Sequence, residues 1–232
     1  MSILWNIWHY LSMTETLTCS TKKIKISWSP QFAYAVGLIT TDGNLSSATK
    51  CISLCSSDLE QVENFKRALN LNNRITPHES GTTKIKGFRI QFGQIALYEF
   101  LNQIGITAKK SLTIGEVRVP RKFYEHFLRG HFDGDGTFYS YWDKRWRSSY
   151  MMYLYFYSAS KKHLEWIQEN NKKHFGISGR ISRPRNDSTY SLRYAKFETI
   201  ILAKRIYKRG GMRLSRKYLK IKRALAILGK SI

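Results

Sequence analysis

The chain has 232 residues, with 39 lysines and arginines against 16 acids, for a formal net charge of +23. With 42% hydrophobic and 14% aromatic residues it can bury a core, which excludes a disordered basic tail, and its length allows one large domain or two small ones. No uncharged apolar run approaches the ~18 residues of a membrane span. Charge of this size on a folded body calls for a polyanion, with nucleic acid the first candidate and an anionic membrane surface the second.

Taken in chain order, residues 1–12 carry Trp5, Trp8 and Tyr10 but neither the basic segment nor the cleavage site of a signal peptide. This opening stretch reads as an extension packing on the body or as the product of an upstream start codon, within an N-terminal extension at 1–28. Three cysteines, Cys19, Cys51 and Cys55, make a small odd set that favours a reducing compartment over a disulfide framework. Cys51 and Cys55 read as small buried side chains on one strand face, because no histidine stands at zinc-ligand spacing from them.

From there the chain says the same thing twice. Helix-like runs at 32–43 (FAYAVGLITTDG) and 125–136 (EHFLRGHFDGDG) each end in acid and glycine. Strand-like stretches follow at 52–57 and 153–160. Amphipathic helices come next, carrying Leu59, Val62, Phe65 and Leu69 in one half and Leu164 and Ile167 in the other. The pairs Arg74-Ile75 and Arg180-Ile181 recur, and basic strands at 88–92 and 191–195 place Arg89 beside Arg193 in the repeat. A lysine-bearing segment closes each half, at 108–111 and 215–218. The spans are a first half at 29–112, a linker at 113–122 marked by Gly115 and Pro120, and a second half at 123–232. Helices alternating with strand pairs predict an α+β fold with antiparallel sheets.

In 32–43, Phe32, Ala35, Val36 and Ile39 recur at helical spacing and Gly43 suits the C′ position, so Asp42 falls at the helix C-terminus. The helix dipole is already negative there. Asp135 repeats the arrangement before Gly136, and two acids kept against local preference point to a task. Gly37 and Gly130 lie five residues before each acid, where glycine is costly unless another backbone comes close. Helices packed at those glycines would deliver both carboxylates to one place, and divalent cations would offset their repulsion.

The runs AVGLITTDG at 35–43 and LRGHFDGDG at 128–136 resemble the two signature motifs of single-chain LAGLIDADG homing endonucleases, and the similarity extends over roughly 30–228. The resemblance implies a pseudo-twofold saddle of two αββαββα halves with the motif helices at their interface. It implies that Asp42 and Asp135 bind Mg²⁺, two or more ions with Mn²⁺ as a substitute, and that Lys110 and Lys217 support catalysis. The implied activity is site-specific double-strand DNA cleavage by a monomer, leaving short 3′ overhangs. Two positions depart from the pattern. Thr40 replaces the earlier motif acid that Asp133 retains, and Arg129 replaces a small residue, which would turn that part of the helix away from its partner. A calcium loop opening at Asp133 fails, since its sixth and twelfth positions are Phe138 and Lys144.

The stretch 84–92 alternates polar with apolar residues apart from a slip at Gly87, where a bulge would restore the phase. One face would then carry Lys84, Lys86, Arg89 and Gln91; Arg and Gln are side chains that read guanine and adenine edges in a major groove. The second half offers Arg145, Arg147, Arg180, Arg183, Arg185 and Arg193, although a basic strand face can also be merely solvated. Residues 196–232 hold twelve Lys/Arg against Glu198 alone, a composition for phosphate contact; Tyr207 and Tyr218 read as packing residues within it, as do His126 and His131 in the second motif. The rival to a nuclease is an RNA maturase for a host intron, or a DNA-binding protein that does not cleave. The chain reads as intron-encoded or free-standing rather than an intein, in a bacterial cytoplasm or an organelle.

Overall fold

The computed structural model describes residues 24–79, 86–185, 188–208 and 210–232. Most of the N-terminal extension, Cys19 and Lys84 lie outside these residues. In the first half, α1 (Pro30–Thr41) leads to β1 (Gly43–Leu45), β2 (Cys51–Ser56), α2 (Leu59–Ala68), β3 (Thr76–Glu79), β4 (Lys86–Gly93), α3 (Ile95–Gln103) and the short α4 (Lys110–Thr113). The second half repeats this with α5 (Tyr124–Asp135), β5 (Thr137–Trp142), β6 (Tyr150–Ser158), α6 (Lys161–Phe175), β7 (Arg180–Ser182), β8 (Tyr190–Tyr194), α7 (Lys196–Tyr207) and α8 (Ser215–Ile227). The antiparallel sheets have strand orders β1-β2-β4-β3 and β5-β6-β8-β7. The fold is α+β and duplicated, as the repeat predicts.

α1 starts where Ser29 accepts from the Phe32 amide at 3.1 Å and Pro30 occupies the first turn. Every residue from Phe32 to Thr40 is buried, because α1 has core around it on all sides. Its main neighbour is α5. A Cβ on Gly37 would lie 2.7 Å from the His131 amide nitrogen and closer still to the Phe127 carbonyl oxygen; one on Gly130 would collide with the Tyr34 carbonyl. These are backbone atoms, which cannot swing aside.

Gly43 and Gly136 are present for a different reason from the one predicted. Neither is among the positive-φ glycines; Gly136 is extended, with φ −80° and ψ 153°. A Cβ would instead strike the preceding helical turn, 2.6 Å from Ile39 Cα in one case and 2.8 Å from Phe132 Cα in the other.

The sheet registers correct two expectations. β3 and β4 pair without interruption from Thr76–Arg89 to Glu79–Lys86, so Gly87 forms no bulge and strand alternation puts Lys86 opposite the side of Arg89 and Gln91. Gly87 gives room for the Ser56 carbonyl, 2.7 Å from a would-be Cβ. Ser53 faces Gln91 and Cys55 faces Arg89 in the first sheet, whereas Tyr155 faces Arg193 and Tyr157 faces Ser191 in the second. Gln91 therefore corresponds to Arg193, and Arg89 to Ser191, two residues from the expected match. Cys51 and Cys55 share a strand face as expected, the one that carries Arg89 and lies opposite Ile52 and Leu54; Cys51 is buried there and Cys55 half-buried.

At the junction, Trp28 stacks on Phe123 (6.3 Å) and meets Phe32 and Phe100 edge-on, so the last part of the extension packs on the body. Residues 113–122 are not loose, since Val117 and Ile114 are buried. Tyr207 is buried, and Arg213 lies over the Tyr218 ring at 3.7 Å, in keeping with packing roles for both tyrosines.

Replacing Gly37 with Ala should force α1 and α5 apart at an overpacking cost of about 1–3 kcal/mol. Thermal unfolding should fall by roughly 3–10 °C. An unchanged Tm would contradict the backbone contact.

Candidate functional site

α1 and α5 end side by side. Asp42 follows the last turn of α1 with its amide donating to Leu38 O. Its carboxylate lies against the partner helix, where a Cβ on Gly134 would be 2.8 Å from Asp42 Oδ2. Asp135 is the last residue of α5. Burial, followed by the charge of Asp135, pushes the Asp42 carboxyl up to about 6, against the hydrogen bond from Gln61 and the charges of Lys217 and Lys110. Burial also raises Asp135, with Lys217 and Lys110 opposing.

Each acid has its own cavity, and each cavity takes residues from both halves. The Asp42 cavity, about 370 Å³, is bordered by Cys55, Ser56, Gln61 and Lys86 of the first half and by Gly134 and Arg216 of the second. The Asp135 cavity, about 280 Å³, is bordered by Tyr157, Ser158 and His163 of the second half and by Thr40, Thr41, Lys110 and Ser111 of the first.

Both predicted lysines are here, buried and occupied. Lys217 Nζ, with three protons to donate, lies within hydrogen-bond reach of four carbonyls at the end of α5: Phe132 (2.8 Å), Asp133 (2.8 Å), Gly134 (2.9 Å) and Gly136 (2.7 Å). Lys110 Nζ does the same for α1, donating to Gly43 O and reaching Thr41 O at 3.4 Å. Each ammonium thus sits on the negative end of a motif helix, where a cation is favoured. Burial lowers both, Lys217 to about 8.

The surroundings of the two acids differ. Gln61, in the first turn of α2, donates Nε2 to Asp42 Oδ2. Sequence reasoning missed this residue: three positions after the N-cap Asp58 it has the look of a capping-box glutamine. The equivalent place in α6 belongs to His163, whose Nδ1 lies 2.7 Å from Gly115 O and whose Nε2 lies 3.0 Å from His131 Nε2. A proton on His163 Nδ1 makes its Nε2 the acceptor, so His131 donates from Nε2 and its buried Nδ1 has no partner. Burial lowers both histidines, His163 to about 4, which keeps the pair neutral at pH 7.

Asp133 is fully buried and faces away from this chemistry. It accepts from Tyr34 Oη (2.8 Å) on α1, Tyr207 Oη (3.2 Å) on α7 and the Leu214 amide (2.8 Å) ahead of α8. Thr40 bonds its own helix at Val36 O. Arg129 is buried and donates to Ile206 O (3.0 Å) and Gly210 O (2.9 Å) beyond α7, yet still borders the α1 ring of Tyr34 at 5.8 Å; it caps another helix without leaving the interface.

Of the other predicted residues, Arg89 and Gln91 share the open face of the first sheet, and Lys86 borders the Asp42 cavity. Arg193 lies over the Tyr153 ring at 5.5 Å, and Arg180 faces Arg193 across β7–β8. Arg145 and Arg147 are exposed in the β5–β6 turn, as are Arg183 and Arg185 after β7. His126 approaches Arg129 at 3.1 Å. Among the described residues no three His, Cys, Asp or Glu side chains form a metal-binding group, and no helix is long and apolar enough to cross a membrane.

Residues 122–216 match the family model of the LAGLIDADG-like domain. No curated protein matches the chain. Among solved structures, the homing endonuclease I-WcaI bound to its DNA recognition sequence aligns with a TM-score of 0.58 and 13% identity, over 82% of this chain and 88% of that one. The LAGLIDADG meganuclease I-AabMI bound to uncleaved DNA gives 0.56 and 15%, over 86% and 90%. Full-length DUF199/WhiA from Thermatoga maritima gives 0.55 and 15% over 90% of this chain, which spans only 64% of that protein. The fold is the LAGLIDADG fold, shared by nucleases and by WhiA.

Asp42 has a folded pKa above its unfolded value, so its ionisation costs stability as pH rises from about 4 through about 6. Asp42→Asn should match the parent below pH 4 and exceed it by roughly 1–2 kcal/mol at pH 8, after allowance for solvent screening. Urea unfolding at the two pH values measures this, and a variant no more stable at pH 8 would contradict it.

Proposed function

We propose that the protein is a site-specific, divalent-metal-dependent double-strand DNA endonuclease that acts as a monomer, with one motif acid serving each strand. The observation that carries this reading is the meeting of Asp42 and Asp135 at the ends of two touching helices. A basic protein that only cushioned DNA would gain nothing from two repelling carboxylates there.

The residues present fit a magnesium site. Asp42 is part-buried and raised in pKa by desolvation and by Asp135, so a cation would relieve an existing strain. Mg²⁺ binds through one or two carboxylates and keeps water and phosphate oxygens as its other ligands, a role open to Asp42 and Asp135. Asp42 and Asp135 would hold the ions, which supply activation of water and neutralisation of charge at the scissile phosphate. Gln61 would fix the orientation of the Asp42 carboxylate. Lys110 and Lys217 would counter the dipoles beneath the acids, and Arg216 at the cavity rim would meet the incoming backbone phosphate. Arg89 and Gln91 would face the bases, with Arg145, Arg147, Arg180, Arg183 and Arg193 along the second half.

With DNA flanking its own gene, the protein should cut both strands in Mg²⁺ and neither in chelator. Asp42→Asn should leave at least one strand intact while retaining duplex binding. Unchanged double-strand cleavage by that variant would overturn the assignment, and affinity confined to an intron transcript would favour the maturase reading.

A further inference from the structure

The two sheets expose different chemistry on corresponding faces. Beside the Asp42 cavity, β2 and β4 carry Ser53, Cys55, Arg89 and Gln91. The matching face of β5 and β6 is a field of tyrosine. Tyr139 and Tyr141 come from β5; Tyr153, Tyr155 and Tyr157 come from β6, opposite in side to the buried Met152, Leu154 and Phe156. Tyr139 is 56% exposed and Tyr141 48%.

The rings stand against one another. Tyr155 and Tyr157 are near-parallel, with centroids 5.8 Å apart and planes 7° apart; Tyr141 stacks on Tyr153 at 6.3 Å, and Tyr139 meets Tyr155 edge-on at 6.4 Å. Each ring thus abuts a neighbouring ring, and Tyr153 and Tyr139 also have a cation over them, which leaves ring edges and hydroxyl tips as the points of contact. That disfavours unpaired bases, which need free faces to stack on. Cations flank the field, with Arg193 over Tyr153 and Lys220 over Tyr139 at 5.3 Å. Tyr157 lines the Asp135 cavity, so the field runs outward from the candidate cleavage site.

We infer that the second sheet reads a thymine-rich half-site in duplex DNA through contacts between tyrosine ring edges and thymine methyl groups, while Arg89 and Gln91 of the first sheet read guanine and adenine edges. This rests on duplex DNA being the partner proposed above. In the major groove, thymine is distinguished by its apolar C5-methyl, whereas guanine and adenine are read by bidentate polar side chains. A phenol hydroxyl donates or accepts and so discriminates little by itself. What the ring gains is removal of methyl and ring edge from water. The flanking Arg193 and Lys220 supply the charge that holds phosphates beside the groove.

The test starts from a pool of duplexes of randomised sequence, selected for binding without divalent metal and then sequenced. Affinity is next measured with thymine replaced by deoxyuridine, which lacks only the methyl, in one half-site at a time. One half-site should be thymine-rich and lose about threefold to fourfold in affinity per methyl removed; the other should be insensitive. Tyr139→Ser with Tyr141→Ser should abolish the sensitivity, and Tyr139→Phe with Tyr141→Phe should keep it. Selected duplexes without thymine enrichment, binding indifferent to deoxyuridine, or tighter binding of single strands would each overturn the inference while leaving nucleic-acid binding in place. Enrichment of no duplex at all would remove the DNA reading itself.

Discussion

Two helices can bring carboxylates at their C-termini together only if their backbones touch, and α1 and α5 touch at Gly37 and Gly130. The constraint is severe because the arrangement is electrostatically uphill three times over: helix ends are negative, the acids add to them, and the acids repel each other. Apolar burial along α1 and the triple acceptance by Asp133 hold the helices regardless. Lys110 and Lys217 then neutralise the two helix ends from beneath. The residual strain sits on the carboxylates, where a divalent cation would relieve it.

Around this shared axis the halves have diverged. A glutamine holds Asp42, whereas a neutral histidine pair stands in the matching place beside Asp135. One earlier motif position is Asp133, tied into α1, α7 and the entry to α8; the other is Thr40, which bonds back to Val36 O of its own helix. One sheet offers Arg89 and Gln91, the other tyrosines. A duplicated fold with unequal halves suits an asymmetric target, because each half can change its side chains while the helix contact stays fixed.

The helix contact was legible from the sequence because its signals are one-dimensional: apolar spacing in α1, two costly glycines, and acids at the wrong helix ends. The linking role of Asp133 was not, since its partners Tyr34, Tyr207 and Leu214 come from distant parts of the chain. Gln61 was hidden by a local explanation sufficient in itself. At Gly87 alternation alone predicts a bulge; close approach of the Ser56 carbonyl, which only pairing reveals, is the reason for the glycine. The match of Arg89 with Arg193 failed for a similar cause, because strand register rather than residue type sets correspondence.

Everything proposed for this protein depends on Asp42 and Asp135 sharing one electrostatic site. Carbon-13 NMR titration of the Asp42 carboxyl, in the parent and in Asp135→Asn without divalent metal, tests it most directly. The parent midpoint should lie near 6 and move down toward the ordinary carboxylate range once Asp135 is neutral. A midpoint unaffected by the substitution would show that the two acids do not sense each other, and the shared site would be lost.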